Sequence, residues 1–156
     1  IVSRILGLLR DQAMGAIFGA GPLLDSFTVA FRLPNLARVL LGEGALTTAF
    51  LPVFVNELSE NGQESAARTT WAVFTVLAIV LTTCVLMLEI LLGTLGYFIQ
   101  LSDQARLLRD LTAILLPYVI LICLAAQLSA VLNATGRFLW PALVPVVLNV
   151  AWLASL

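Results

Sequence analysis

The residues able to do chemistry crowd into the first third of the chain. Arg4, Arg10, Asp11, Asp25, Arg32, Arg38 and Glu43 stand among mostly apolar or small neighbours. Charges at bilayer depth are costly, so they normally face a polar cavity or a partner. The stretch from Asp25 to Phe50 also carries Pro34 and a Gly-Glu-Gly break at 42–44. Such breaks are tolerated in a membrane only where protein or water satisfies the freed backbone groups. This stretch is therefore expected to line a solvated, charged cavity, with the rest of the chain as its wall. Asp25 and Glu43 form a carboxylate pair for acid–base work in principle, but a broken helix separates them and the chain has no His.

Helical spacing sorts these groups. Positions 4 and 11 are seven residues apart and fall on nearly one face, extended by Gly7 and Met14. Two readings are open for Arg4, Arg10 and Asp11: a helix end with snorkelling arginines, or a charged stripe facing a cavity. Asn35 lies midway between Arg32 and Arg38, so the three can share a broad polar face. Pro34, lacking an N–H, disturbs the ladder there.

The elements that must position these groups are membrane helices. Of 156 residues, 61% are hydrophobic and 11% charged, against about 25% charged in soluble domains. Mean hydropathy is +1.06. The fold class expected is an all-α integral membrane bundle of about five transmembrane helices. Their predicted spans are about 1–18, 25–58 with a break at 42–44, 66–99, 104–134 and 138–156. Thr69 to Leu88 is twenty residues without a charge, and Leu111 to Gly136 is twenty-six. Either crosses a hydrocarbon core of about 30 Å. Trp71, Tyr97 and Phe98 flank the first as interfacial anchors do. Glu89 falls beyond its core.

GAGP at 19–22 reads as a turn, with Asp25 opening the next helix. Asn56 to Arg68 reads as a solvated loop, and Leu101 to Asp110 as a short amphipathic connection. Pro117 is expected to kink its helix, and Pro141 and Pro145 to bend the first turns of the last. Asn149 is a lone amide there, open to a bond with a neighbouring helix or to a role with substrate. The chain opens at Ile1 and ends at Leu156 within apolar runs, and both ends are expected to be cuts through membrane helices. The opening is not a signal peptide, because charges interrupt it.

Several classes are set aside. Net charge is −1, so nothing points to nucleic acid. Cys84 and Cys123 lie in apolar runs and read as small hydrophobes, and no metal or disulfide framework is visible. No phosphate-binding glycine loop or nucleophile elbow occurs, so neither cofactor nor metal is expected. Arginines divide evenly between the two sides of a five-helix topology, so charge alone does not orient it.

The motifs SRILGLLRD at 3–11, FGAG at 18–21, D-x-F-x-V-A-F-R-L-P-N-L at 25–36, Arg38, and GEGALTTAFLPVF at 42–54 together resemble the MurJ/MviN family. LLPYVILICLAAQLSAVLNATGRFLWPALVPVVLN at 115–149 looks like that family's fourth and fifth helices. These are lipid II flippases of the MOP exporter superfamily, with about fourteen helices in two lobes. The resemblance covers essentially the whole chain and about the first third of such a transporter.

The resemblance implies a bacterial cytoplasmic membrane protein, multi-pass, with its N-terminus in the cytoplasm. It implies a cationic central cavity for a lipid-linked pyrophosphate, worked by alternating access. Arg4, Arg10 and Arg38 match the family's cavity arginines. Asp25 matches an acid near the outward gate, and Glu43 the acid of a broken second helix. Asp11 and Asn35 fall inside matching motifs as gating or charge-balancing residues. Val39 departs from the pattern, since many relatives carry a second arginine there. The implied partners are lipid II, the bilayer, the remaining helices of the transporter, and cell-wall synthesis proteins. Arginine suits this work, because its fork grips phosphate oxygens in pairs. The alternatives are another MOP-type exporter, for a different lipid-linked oligosaccharide or for drugs, and a non-transporting membrane interaction protein. A membrane enzyme using Asp25 and Glu43 is a further one.

Overall fold

A computed structural model describes residues 2–19 and 21–155, with side chains at all of these except positions 2, 3, 42, 43 and 45. Helix α1 spans Val2–Phe18, α2 Pro22–Ala37, α3 Ala45–Phe98, α4 Asp103–Ala134 and α5 Leu139–Ser155. A π-helical segment, Arg38–Gly44, joins α2 to α3. No strand occurs among the described residues.

Helix α4 is the central post. It packs against α2, the π-segment, α3 and α5, whereas α1 leans mainly on α5 and barely touches α2. The pattern follows from side-chain size. Ser26, Ala30 and Pro34 are buried four residues apart on one face of α2. Small groups at that spacing let two helix backbones approach closely. Leu116, Val119, Cys123 and Gln127 form the buried stripe of α4. Leu77, Leu81 and Val85 of α3 close on that stripe to form the main apolar core.

The polar stretch 56–68 differs from its reading as a loop. It remains helical, and the chain reverses at one residue, Gly62, where φ is +80°. Only glycine enters that region without a Cβ clash. Ser65 Oγ donates to the Glu57 carboxylate across the turn. On a straight helix, residues eight apart would be about 12 Å apart along the axis, so that bond requires a sharp fold-back. Phe50, Phe54 and Ala66 pack inside it as a second small core. Helix α2 also begins earlier than the acidic residue suggested. Pro22 opens it, where a missing N–H costs nothing, and Asp25 falls in the first turn. Ser102 Oγ accepts from the Ala105 N–H and caps α4. Pro117 lies within α4 without interrupting it.

The molecule's accessible surface is 10069 Å², whereas a soluble monomer of 16.8 kDa exposes about 7,700 Å². Much of the excess is apolar, with Met87, Ile90, Ile114 and Leu121 all exposed. Pro22–Phe98 and Asp103–Ala134 are helical runs long and apolar enough to cross a membrane, and Leu139–Ser155 is a shorter apolar helix. Trp71 and the Tyr97–Phe98 pair are exposed at opposite ends of the apolar part of α3. At 1.5 Å per residue they are about 39 Å apart, close to the spacing of two bilayer interfaces.

Candidate functional site

Arg10 and Arg38 are both partly buried. Arg10 projects from α1, its side chain only 24% exposed. Its Nε and Nη2 both donate to Asp11 Oδ1, at 3.0 and 2.7 Å. Its Nη1 donates to Asn149 Oδ1 of α5 at 3.3 Å. All three guanidinium nitrogens are thus engaged. Arg38 stands where α2 gives way to the π-segment, and its Nη2 donates to Asn35 Oδ1 at 3.1 Å, one turn back. Tyr118 of α4 is within electrostatic reach of both guanidinium groups.

Beside Arg10 and Asp11 opens a cavity of about 330 Å³ between α1, α2 and α5. It exists because α1 rests on α5 and leaves α2 at a distance. Its far wall is aromatic. The Phe27 and Phe31 rings stack at 5.8 Å, and Trp152 meets Phe27 edge-on at 5.6 Å. Phe31 in turn stacks on Tyr118 at 6.2 Å. One side is cationic and hydrogen-bonding and the other apolar.

The other sequence-designated residues are spread more widely. Arg4 is exposed on α1, six residues before Arg10 and so about 9 Å away along the axis. Arg32 is exposed on α2. Asp25 lines a separate cavity of about 300 Å³ with Ser26, Ser102, Gln104 and Leu108. It lies thirteen residues from Arg38, about 20 Å along the helix. Asp25 therefore does not share the arginine site. Glu43 belongs to the π-segment, and its side chain lies outside the described residues.

Tyr118, Gln127 and the aromatic wall were not singled out by sequence reasoning. Gln127 had a legible signal as the one Gln within an uncharged run of twenty-six residues. It is fully buried, and its Nε2 donates to the Leu41 carbonyl at 2.7 Å and to Thr47 Oγ1 at 3.0 Å. The aromatics carried no such mark, because Phe and Trp are ordinary in apolar helices. No cluster of three or more metal-ligating side chains occurs among the described residues. The chemistry on offer is electrostatic: a guanidinium paired with the Asp11 carboxylate at a cavity mouth.

The family model described as "Lipid II flippase MurJ" matches residues 14–156. The chain belongs to the MurJ family. A "Probable lipid II flippase MurJ" of Bdellovibrio bacteriovorus is 38% identical over 160 residues, covering 98% of this chain and 30% of that protein. One of Rhizobium tropici is 36% identical, covering 99% of this chain and 30% of that protein. The "Lipid II flippase MurJ" of Burkholderia cenocepacia is 35% identical, over 99% and 31%. The chain thus spans about 30% of the length of these MurJ relatives. Arg38, Asn35, Asp25 and Tyr118 all lie inside the MurJ match.

Proposed function

We propose that this chain is the N-terminal part of the first lobe of a MOP-type transporter, one that flips lipid II across the bacterial cytoplasmic membrane. Arg10 and Arg38, with Arg4 towards one end, hold the pyrophosphate of the undecaprenyl-linked precursor. Membership of a family named for lipid II flipping supports the substrate. Arg10, partly buried with all three guanidinium nitrogens engaged beside an aromatic-walled cavity, supports the site, and is the single observation that carries it.

The chemistry fits an anion that must be held and then let go. A pyrophosphate needs paired donors, which guanidinium supplies. Release needs a competing anion nearby, and Asp11 already occupies the Arg10 fork at 2.7 Å. Asn35 holds Arg38 by a neutral acceptor, weaker than a phosphate oxygen. Alternating access then rocks this lobe against a second one, with Asp25 at the outward end and Glu43 in the broken helix as charge-balancing groups. The N-terminus faces the cytoplasm in this reading, and the working partners are the remaining helices and proteins of cell-wall synthesis. The protein acts as a transporter without covalent chemistry.

The test uses the full-length protein in a bacterium depleted of its own lipid II flippase. Rescue by the intact protein and not by Arg38→Ala, at equal membrane levels, is expected. Rescue by both removes Arg38 from the mechanism. Failure of the intact protein transfers the site to another lipid-linked substrate.

A further inference from the structure

The π-segment Arg38–Gly44 is held in its widened form from two sides. Where a ladder returns from i+5 to i+4 spacing, one carbonyl is passed over. Inside a membrane bundle such a group needs another donor. Gln127 stands at that exit, fully buried on α4. Its Nε2 donates to the Leu41 carbonyl within the π-segment at 2.7 Å and to Thr47 Oγ1 in the first turn of α3 at 3.0 Å. One amide thus fastens both sides of the junction. Independently, a Cβ at Gly44 would come within 2.8 Å of the Val39 carbonyl oxygen. The wide turn closes on itself only because residue 44 is glycine.

The turn decides where Arg38 points. A π-turn adds one residue to the helical register, and each residue is a rotation of about 100°. If the segment relaxed to ordinary α-helix, Arg38 and the face it shares with Asn35 would turn by about that angle relative to α3. Arg38 would then leave the neighbourhood of Tyr118, which α4 fixes through Val119 and Leu116 on either side in the core.

We propose that Gln127 is a positioning residue for Arg38: by bridging Leu41 and Thr47 it locks the π-turn and so sets the direction in which Arg38 projects. The ligand that Arg38 meets there rests on the pyrophosphate reading above, whereas the lock does not.

The experiment uses the full-length transporter, otherwise free of cysteine, in lipid nanodiscs. Single substitutions Asn35→Cys, Leu36→Cys, Val39→Cys and Leu40→Cys are labelled with a water-soluble thiol reagent, with and without Gln127→Met. Undecaprenyl pyrophosphate binding is measured for Arg38→Ala, Gln127→Met and the double variant. The expected result is a labelling pattern displaced by one position in Gln127→Met. Binding falls severalfold in each single variant, and the double variant is hardly weaker than Arg38→Ala alone. A residue that merely supports the fold would give an unchanged pattern and multiplying losses, and either result overturns the proposal. If Arg38→Ala leaves binding intact, the pyrophosphate reading fails, and the labelling pattern alone decides the lock. Should Gln127→Met not insert, Thr47→Val removes one of its two acceptors and is put to the same tests. A displaced pattern sustains the lock there, and an unchanged one overturns it.

Discussion

Arg10 Nη1 donates to Asn149 Oδ1 at 3.3 Å, tying the first helix to the last across 139 positions of sequence. Asn149 is buried at 6% exposure in an otherwise apolar helix. The bond joins neighbouring helices, the first of the two readings open to this lone amide, and it holds a cation at the mouth of the cavity.

Asn149→Leu is expected to lower stability modestly. Hydrogen bonds between membrane helices contribute about 0.6 kcal/mol on average and at most about 1.7. Anion binding should fall with it, because Arg10 loses its aim. Asn149→Asp separates the two effects: a carboxylate there strengthens the tie to Arg10 yet repels the anion. Thermal unfolding and undecaprenyl pyrophosphate binding of the full-length protein, measured side by side, check both. If Asn149→Asp binds as tightly as the native protein, Asn149 has no bearing on the site.

Asp11→Asn should move binding the other way. Asp11 takes two of the Arg10 bonds through one oxygen, but its side chain is 64% exposed. Exposed pairs contribute about 0.2–1 kcal/mol, so removing the charge should tighten anion binding by a factor of roughly 1.5 to 5. Flipping should slow, since nothing remains to displace the bound phosphate from Arg10. Tighter binding with unchanged turnover would remove Asp11 from the release step.

The membrane character, the broken second helix and the arginines were legible in sequence because each breaks a local rule. A charge in an apolar run, a Pro or Gly inside a helix and a lone amide stand out by composition. The grouping of these residues was not legible. Asp25 and Arg10 both border cavities, yet different ones: Asp25 faces α4 at the start of α2, and Arg10 faces the aromatic wall further along it. Tyr118 stacks on Phe31 through the packing of α4 on α2, which no local spacing encodes. The 56–68 stretch misled for a related reason. Its polar composition suggested a loop, but a single Gly62 at φ +80° completes the reversal, and the flanking residues stay helical.

Arg10→Ala and Arg38→Ala are each expected to abolish rescue of a flippase-depleted strain while leaving membrane insertion intact. The lysine variants separate charge from geometry. An ammonium keeps the charge but cannot present a fork. Arg38→Lys should therefore recover only part of the activity. Arg10→Lys should recover less, since Arg10 uses three nitrogens at once. Full activity in both alanine variants would remove the arginine site altogether.

Gly44→Ala is expected to inactivate by a different route. The added methyl meets the Val39 carbonyl oxygen, and because that contact is backbone rather than a flexible side chain, the segment itself must move. The loss should resemble Gln127→Met in its labelling pattern, although residue 44 touches no proposed ligand. Normal activity in Gly44→Ala would show that the wide turn is dispensable.

The turn at Gly62 offers the opposite contrast, between a polar surface and the backbone beneath it. Glu60 and Arg68 are exposed, and surface changes of this kind usually shift stability by under about 0.5 kcal/mol. Glu60→Ala and Arg68→Ala should therefore be silent in the rescue assay. Gly62→Val places a β-branched residue at positive φ, which is a genuine outlier for such a side chain. It should lower the yield of inserted protein and loosen the packing of Phe50 and Phe54 on Ala66. Limited proteolysis within 56–68 reads that loosening directly. If Arg68→Ala or Glu60→Ala instead abolishes rescue at normal membrane levels, the exposed helical ends beside Gly62 are a docking surface. In that case the charges carry the function of this stretch, and the turn serves to present them.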